Sequence, residues 1–540
     1  MWIGSERPTP GRALIGLVAV TGVALGLRVW GIAFGLPFPY HPDEPQFVEQ
    51  ALAIASGVSR GGTFANPPLF KYLLLMEYGL AYVIERILGV ATSPHDFVER
   101  FRADPTILYL IARLTSAVLG ASTVPLVYVI ATRVRGRRAG LLAALLTAVS
   151  FLHVRESHLA VNDATVTFLT TLALYGGIRL LQHGSRREYL FAGAAAGLAF
   201  SGKYTGLVVL VPLLLAHFAN PRRRPANLLF ALAAMVVAVL LTFPSLLLEP
   251  GRVVHDVYFR LIVPGQSGYG GLSPARGYGY YVAVLRWGIG WPILLASAGG
   301  LACALYQRDR ALLVLASLPL VLYGVMGFER MYFARFILPA VPPLLILAAA
   351  AVHSFARWAQ ARARVPQNAV LAAASFILIA PTALDAVRFD GILTREDTRT
   401  EARRWIESHL PKGTRIALDD FPFSPALASE HYRVLVAKGW SLDRLTIDEY
   451  AARGVEYILT SSFVDDLQPR DGATGERRRH FFADLAARGD PVAEFRPYAG
   501  ARAPAFVYDQ IYAPLTELAR IRRPGPTLRL YRLAASAASR

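Results

Sequence analysis

Long apolar segments recur along this chain and constrain its fold more than any other feature. Each is roughly long enough to cross the ~30 Å hydrocarbon core of a bilayer as a helix, although two are short. Only 17% of the residues are charged, against about a quarter in soluble domains. We therefore predict an α-helical polytopic membrane protein with about 11 transmembrane helices. The segments are 13–33, 110–132, 139–161, 164–182, 188–202, 204–219, 226–248, 281–305, 310–328, 335–354 and 368–386.

Five short connections between these segments are rich in arginine, and this predicts the side of the membrane on which they lie. Positive residues accumulate in cytoplasmic loops, so all five are expected there. With a cytoplasmic N-terminus, this arrangement requires that the run 67–90, which contains four charged residues, does not cross the membrane. We expect 67–90 to be an interfacial helix on the outer face, followed eventually by an extracytoplasmic C-terminus. The connections are 133–138, 183–188, 221–225, 307–310 and 357–364.

The chain divides into a transmembrane domain, residues 1–386, and a more polar tail, residues 387–540. The tail holds 24 Lys and Arg against 21 Asp and Glu, so most of the net charge of +18 belongs to the membrane half. That distribution favours topogenic arginines and argues against a nucleic-acid partner. The tail is predicted to be a small α/β extracytoplasmic domain, with a helix at 397–410 and strands in TRIALDD, VEYILTSS, PVAEFRP and TLRLYRL.

Two outer loops are long enough to cover a site. Loop 34–109 is expected to contain interfacial helices, and loop 249–280 is rich in Gly and Tyr. The second loop is either a mobile segment that covers a substrate or an ordinary connector.

Acidic residues lie in two of the outer connections. Asp43 and Glu44 follow the first span, and Asp163 follows Asn162 between two later spans. Asp43 could simply begin a helix at 45–56, and the Asn-Asp pair could be turn chemistry. The functional alternative for Asp43 is a general base, because a neighbouring carboxylate raises one pKa of a pair. Two acidic sites on one membrane face favour that alternative.

Four basic residues are expected on the same face: Lys71, Lys203, Arg330 and Arg335. Each could hold an anion such as a lipid phosphate, or could extend toward headgroups without any specific ligand. Lys203 lies between two short spans, where a charge is most often functional.

His41 precedes Asp43 and Glu44, which raises the question of a metal site. The three residues match no strong metal signature, and the single cysteine, Cys303, lies in an apolar run. We therefore predict no metal and no certain cofactor, with a divalent cation as the one candidate, and we include His41 among the substrate-binding residues.

The order and spacing of several motifs resemble the GT-C glycosyltransferases, and in particular the branch that contains protein O-mannosyltransferases and lipid A aminoarabinose transferases. The resemblance covers about residues 10–350. The motifs are HPDEPQF at 41–47, NPPLFKYL at 66–73, RLTSAVLGASTVPLVYVIA at 113–131, VNDATVTFL at 161–169, GLAFSGKYTG at 197–206 and RFILPAVPPL at 335–344.

The resemblance implies a role for several of these residues. Asp43 corresponds to the family's catalytic base, Asp163 to an acidic residue that helps to place donor or acceptor, and Arg335 to an arginine near the lipid phosphate. The family has a lysine where this chain has Asn66, and Lys71 is the candidate substitute.

The expected function is therefore the transfer of a glycosyl group from a polyprenyl-phosphate sugar to an extracytoplasmic glycan, lipid or protein. Asp43 is expected to be the base, with Glu44 orienting the acceptor or a water, and direct displacement is expected to invert the anomeric centre. The competing hypothesis is a multi-span transporter or flippase for a lipid-linked or anionic substrate. Convergence of Asp43, Asp163 and Arg335 on one cavity open to membrane lipid and to the outer solvent would favour the enzyme.

Overall fold

A computed structural model describes residues 10–55, 63–268, 275–437, 441–467 and 472–533. The membrane half contains eighteen α-helices within these ranges. They are α1 (Pro10–Val29), α2 (Pro45–Ala55), α3 (Leu69–Ile87), α4 (Pro94–Ala103), α5 (Thr106–Arg135), α6 (Arg137–Val149), α7 (Phe151–Glu156), α8 (Asp163–His183), α9 (Arg186–Gly202), α10 (Leu210–Ala219), α11 (Asn227–Thr242), α12 (Ser245–Leu248), α13 (Pro250–Val257), α14 (Val263–Ser267), α15 (Tyr278–Tyr306), α16 (Arg310–Phe328), α17 (Val341–Ala363) and α18 (Gln367–Leu393).

The helical membrane architecture predicted from the apolar segments is confirmed. Among the described residues, six helical stretches, those containing α5, α8, α15, α16, α17 and α18, are long and apolar enough to cross a membrane. Three shorter apolar helices lie at Leu14–Val29, Tyr204–Ala219 and Asn227–Thr242. The predicted span 139–161 differs, because the helix breaks at Ser150 and ends in a polar run at Glu156. The run 67–90 forms α3, which has both a buried and an exposed face and is not among the six.

The arginine-rich connections lie together at one end of the helices. Arg135 forms an ion pair with Asp309 at 2.5 Å, and Arg138 donates to Gln367 Oε1 at 2.7 Å. Arg310 Nη1 donates to the carbonyl oxygen of Ala219 at 2.7 Å. Helix α8 has its C-terminus at this end and its N-terminus at the opposite end, where the acidic candidates lie. The arginine-rich connections therefore share one end of the membrane half.

The predicted loop 249–280 is largely helical. Helices α13 and α14 are joined by a π-helical turn at Tyr258–Ile262, so the chain is helical from Pro250 to Ser267. The part of the Gly- and Tyr-rich stretch at 269–274 lies outside the described residues, and the prediction of a mobile covering segment stays a prediction there.

The C-terminal domain contains α19 (Thr398–His409), α20 (Ile447–Ala452), α21 (Ser462–Leu467) and α22 (Gly472–Arg488), with strands β1 (Arg415–Asp419), β2 (Arg433–Ala437), β3 (Tyr457–Ser461), β4 (Gly489–Phe495) and β5 (Leu528–Leu533). The sheet order is β2-β1-β3-β5-β4. Strands β2 and β3 are parallel to β1, and β5 is antiparallel to β3 and β4. The predicted helix and four strands are present, whereas β2 was not predicted. Helix α18 continues to Leu393, beyond the predicted domain boundary at 386.

Small residues allow α9 and α11 to pack with their backbones in close contact. A Cβ atom added at Gly193 would overlap the backbone of Ala231, and one added at Gly197 would overlap the backbone of Met235. The spacing of four residues puts both glycines on one helix face. Such faces drive helix association in membranes, because lipid supplies no hydrophobic force between helices.

Replacement of Gly193 by Leu should therefore destabilise the membrane half. Overpacking of a close contact costs typically 1–3 kcal/mol, and this contact is between backbones. We expect Gly193→Leu to lower the thermal unfolding temperature of the detergent-purified protein. Gly22→Leu is the control, because Gly22 in α1 has no atom within 4 Å of its added Cβ. Equal unfolding temperatures for the two variants would contradict the packing argument.

Candidate active site

A cavity of about 330 Å³ lies at the end of the membrane half opposite the arginine-rich connections. Its wall combines residues of the first outer loop, the starts of α8 and α17, the end of α9, the 258–267 helical turn and the C-terminal domain. All of these segments are far apart in sequence. The cavity is therefore a product of the complete fold.

Two acidic and two basic side chains meet in this cavity. Arg335 Nη2 donates to Asp43 Oδ2 at 2.9 Å, and Lys203 Nζ donates to Asp163 Oδ1 at 2.5 Å. Arg335 Nε lies 4.0 Å from the other oxygen of Asp163, which joins the two pairs into one cluster. Asp163 and Lys203 are almost fully buried, and about a quarter of the Asp43 side chain is exposed. The four formal charges cancel, so each partner offsets the cost of burying the others.

Helix ends place these four groups. Asp163 is the first residue of α8, Lys203 follows the last residue of α9, and Asp43 precedes α2 by two positions. Arg335 lies at the start of a 3₁₀ turn, Ala334–Ala340, that leads into α17. A helix end leaves backbone groups unpaired and the side chain free to turn into a cavity. The charges therefore converge without interrupting a membrane-spanning helix.

Aromatic rings hold the two cations in place. The guanidinium carbon of Arg335 lies 4.4 Å from the ring centres of both Phe333 and Tyr512. The ammonium of Lys203 lies 4.6 Å from the ring centre of Phe336. Cation–π contacts of this kind strengthen where water is excluded.

The electrostatic environment favours protonation of Asp43. Burial raises the pKa of the Asp43 carboxyl above its ordinary value, the Arg335 guanidinium partly opposes this rise, and the Asp163 carboxylate adds to it. Burial and the nearby guanidinium of Arg335 lower the pKa of His41 well below its ordinary value. His41 is therefore neutral near pH 7, and the raised pKa of Asp43 suits a proton acceptor.

The rest of the cavity wall is mostly apolar. Leu261, Ile262, Met326 and Met331 line it, together with the charged residues Arg260 and Glu329, and the carboxylate of Glu329 packs against Gly265. The cavity therefore offers both charged groups and apolar surface in its wall. That combination suits a ligand with a charged group on a hydrocarbon chain.

Comparison with known proteins finds one matching family and several similar structures. Residues 109–247 match the sequence model of a family described as dolichyl-phosphate-mannose-protein mannosyltransferase. No curated protein matches the sequence. The structure is similar to that of ArnT from Cupriavidus metallidurans in the apo state, at 16% identity and a TM-score of 0.51, over 97% of this chain and 99% of that one.

Two further structures, both of Archaeoglobus fulgidus oligosaccharyltransferase, share the architecture. The apo form matches at 14% identity and a TM-score of 0.52, over 85% of this chain and 70% of that one. The AglB complex with an inhibitory peptide and a dolichol-phosphate matches at 13% identity and a TM-score of 0.51, over 90% and 73%. The structures establish the fold, and the family match agrees with it. The chain therefore has the fold of ArnT and of the oligosaccharyltransferase.

The predicted residues Asp43, Asp163, Lys203 and Arg335 are brought together as described. Asn162 also lines the cavity, where its side-chain amide donates to the carbonyl oxygen of Gly202 at 2.7 Å and lies 3.3 Å from Asn66 Oδ1. Asn162 therefore ties α8 to the end of α9 at the position of Lys203.

Glu44 has a different place from the one predicted. Its side chain is fully buried and forms a two-point ion pair with Arg113 of α5, with nitrogen–oxygen distances of 2.8 and 2.7 Å. Its Oε1 atom also accepts the backbone N–H of Ala160 at 2.9 Å. Because both oxygens are engaged away from the cavity wall, the assignment of Glu44 to the catalytic residues is corrected to a structural role.

Lys71 and Arg330 also lie outside the cavity wall. Lys71 is buried in α3, and its ammonium donates to the carbonyl oxygen of Thr63 at 2.7 Å. Arg330 is exposed, and its backbone N–H donates to Gly265. Asn66, which occupies the family's lysine position, does line the cavity. The prediction that Lys71 substitutes for that lysine is therefore not supported by its position; Lys203 is the lysine that lines the cavity.

The side chains of His41, Asp43 and Glu44 have separate partners, and the candidate divalent cation stays a prediction. His41 Nδ1 accepts the backbone N–H groups of Asp43 and Glu44 at 3.1 and 3.2 Å, and the oxygens of Glu44 belong to the pair with Arg113. Within the described ranges, no group of three or more His, Cys, Asp or Glu side chains could hold a metal ion. His41 instead orders the turn that presents Asp43.

Two residues of the site were missed by the sequence analysis. Tyr512 of the C-terminal domain lines the cavity, and the nearby Asp509 is fully buried against the membrane half. No local pattern distinguishes these two from other Tyr and Asp residues of the tail. Arg113 did carry a signal, because an arginine inside an apolar segment needs a buried partner.

The buried pair of Glu44 and Arg113 predicts a stability effect. Glu44→Gln keeps the shape of the side chain but leaves the Arg113 guanidinium without a counter-charge, which typically costs 3–5 kcal/mol. We expect a clear fall in the thermal unfolding temperature of the purified enzyme.

Glu49→Gln is the matched control, because Glu49 is an exposed residue of α2, the helix that begins directly after Glu44, and surface changes are usually within ±0.5 kcal/mol. A Glu44→Gln enzyme that unfolds at the wild-type temperature but is inactive would restore Glu44 to a catalytic role.

Proposed function

We propose that this enzyme transfers a glycosyl group from a polyprenyl-phosphate sugar to an acceptor hydroxyl outside the cytoplasm. The observation that carries the proposal is the contact between Asp43 and Arg335, 2.9 Å apart in one cavity. A carboxylate can accept the hydroxyl proton, and a guanidinium can hold the phosphate of the donor. The matching family is described as a dolichyl-phosphate-mannose-protein mannosyltransferase, and the similar AglB structure contains a dolichol-phosphate. Both agree with a lipid phosphate donor.

In the proposed reaction, Asp43 takes the proton of the acceptor hydroxyl while the acceptor oxygen attacks the anomeric carbon. The bond between that carbon and the phosphate oxygen breaks, and the phosphate oxygen keeps the electron pair. Direct displacement inverts the anomeric centre. The raised pKa of Asp43 suits this role, because a base is most effective when its pKa is close to the operating pH.

The phosphate gains one negative charge as it leaves, and Arg335 with Lys203 would stabilise that charge. Both cations are already fixed by carboxylates and aromatic rings, so little reorganisation is needed when the charge develops. Asp163 holds Lys203 at 2.5 Å and lies 4.0 Å from Arg335. Its proposed task is to position both cations.

We place the N-terminus in the cytoplasm and the cavity and C-terminal domain on the outer side. The clustering of the arginine-rich connections at the opposite end of the helices supports this orientation. A lipid-borne donor suits an outward-facing site, since it enters from the membrane and its sugar is already activated.

The transporter hypothesis is less well supported. Transporters usually hold their substrate near the middle of the membrane at broken helices. Here Asp163, Lys203 and Arg335 lie at helix ends.

Loss of the Asp43 carboxylate should abolish transfer. In a strain that lacks this chain, we expect a polyprenyl-phosphate sugar to accumulate, as measured by mass spectrometry of extracted lipids. The wild-type gene should clear it, whereas Asp43→Asn should reduce the rate of clearance by about 10²- to 10⁴-fold, the usual contribution of a general base. Asp104→Asn is the control, because Asp104 lies in the same outer loop and is exposed.

The pH dependence of the transfer rate should follow the protonation state of the Asp43 carboxyl. With purified enzyme and extracted donor, the rate should fall as the pH drops through the pKa of Asp43, at a pH above the ordinary value of 3.8. The residual activity of Asp43→Asn should lack this acid limb. Clearance by Asp43→Asn at the wild-type rate and protein level would remove Asp43 from the mechanism.

Binding of the lipid phosphate should depend on Arg335. Hydrogen bonds to charged groups contribute about 1.5–3 kcal/mol, so Arg335→Ala should weaken binding of a sugar-free polyprenyl phosphate roughly 10- to 100-fold. Tryptophan fluorescence or thermophoresis of the full-length enzyme in detergent measures this affinity. Arg330→Ala, an exposed residue in the same segment and outside the cavity wall, should bind normally. Equal affinities for both variants would refute the phosphate role of Arg335.

A further inference from the structure

A short segment of the C-terminal domain reaches the cavity of the membrane half. It consists of the 3₁₀ turn Tyr508–Ile511 and the residues that follow it. Tyr512 forms part of the cavity wall and is only 9% exposed. The domain therefore contributes directly to the site, in addition to covering the outer face.

The carboxylate of Asp509 fixes this segment next to Arg335. Its Oδ1 atom accepts the backbone N–H of Ala334 at 2.9 Å, and its Oδ2 atom accepts the hydroxyl of Tyr280. Asp509 has no exposed surface. Since Ala334 directly precedes Arg335, the contact sets the backbone from which the guanidinium extends.

Arg155 of α7 holds the backbone of the same segment. Its Nη2 atom donates to the carbonyl oxygens of Asp509 and Ala513 at 2.8 and 2.9 Å, and its Nε atom donates to that of Pro514 at 3.1 Å. Three carbonyl groups on one buried guanidinium define the conformation of the segment around Tyr512. The contacts of Asp509 and of Arg155 together therefore fix the position of the Tyr512 ring.

The ring of Tyr512 constrains the side chain that faces Asp43. Arg335 packs against both Tyr512 and Phe333, with its guanidinium carbon 4.4 Å from each ring centre and the two ring centres 6.0 Å apart. The Tyr512 ring also approaches His41, at 5.2 Å between ring centres. An arginine side chain has many rotamers in solution, and ordering it on binding would reduce affinity. A stacked guanidinium is already ordered.

We propose that Tyr512 is a positioning residue for the donor phosphate, so that the C-terminal domain completes the phosphate site of the membrane half. The ring keeps the guanidinium of Arg335 in the orientation that meets the phosphate, and the Asp509 and Arg155 contacts keep the ring in place. This inference rests on the proposed function, because it takes Arg335 to be the phosphate ligand.

The test is binding of a sugar-free polyprenyl phosphate by the full-length enzyme in detergent. Cation–π contacts contribute about 0.5–2 kcal/mol, so Tyr512→Ala should weaken binding roughly 2- to 30-fold. Tyr512→Phe retains the ring and loses only the hydroxyl, which also contacts the Arg335 side chain, so it should bind more tightly than Tyr512→Leu. Tyr512→Leu keeps the volume without an aromatic face and should bind as weakly as Tyr512→Ala, which covers the case in which the alanine variant does not fold.

Tyr450→Ala controls for a general loss of stability. Tyr450 is a buried residue of the same domain, packs on Phe481 and does not line the cavity. It should lower the unfolding temperature while leaving phosphate binding within about twofold of the wild type. In the transfer assay, Tyr512→Leu should raise the KM for the donor more than it lowers kcat.

The outcomes separate this inference from the proposed function. Wild-type affinity in Tyr512→Leu, together with weak binding in Arg335→Ala, would overturn the role of Tyr512 and leave the proposed function intact. Wild-type affinity in Arg335→Ala would overturn both. Equally weak binding in Tyr512→Phe and Tyr512→Leu would also overturn the inference, because the ring would then not be the cause.

Discussion

Four charges that neutralise one another underlie the organisation of this site. Asp43, Asp163, Lys203 and Arg335 come from four separate segments, and each is buried or partly buried beside an opposite charge. A single ion in such a place would be costly, whereas a compensated cluster can be buried. The segments must therefore approach one another together for any of the four to be stable. Assembly of this end of the membrane half and formation of the candidate site therefore depend on each other.

The membrane architecture could be predicted from the sequence because its signals are local. Apolar length identifies helices, and the arginine-rich connections, all expected on one side, do lie together at one end of the helices. The tail strands were found for the same reason, since alternation is visible within a few residues. Strand β2, RVLVA, was missed; it lies at a sheet edge and is only half-buried, so it lacks the continuous burial of β1 and β3.

The candidate site was only partly predictable, because its pairings join distant residues. The convergence of Asp43 and Arg335 followed from a resemblance, and the contact itself spans 292 positions. Asp43 and Glu44 are adjacent in sequence, but their side chains point in different directions. The first faces the cavity, whereas the second turns to Arg113 and the backbone of Ala160. Both residues are acidic in the sequence, and only the orientation of each side chain in the fold distinguishes their roles. Tyr512 could not be found at all, since nothing near it in sequence points to the membrane half.

The charge balance of the cluster bears on how such an enzyme would release the lipid phosphate after transfer. The bare site sums to zero, so a phosphodiester donor would make it singly negative. After transfer the lipid carries a phosphate monoester with two charges, while Asp43 has gained a proton. The Asp43 carboxyl could then form its ion pair with Arg335 again only after losing that proton. Formation of this pair would weaken the contact between the Arg335 guanidinium and the phosphate of the used lipid. Departure of the used carrier and restoration of the base would thus be one coupled step, in which the Asp43 carboxylate and the lipid phosphate compete for Arg335.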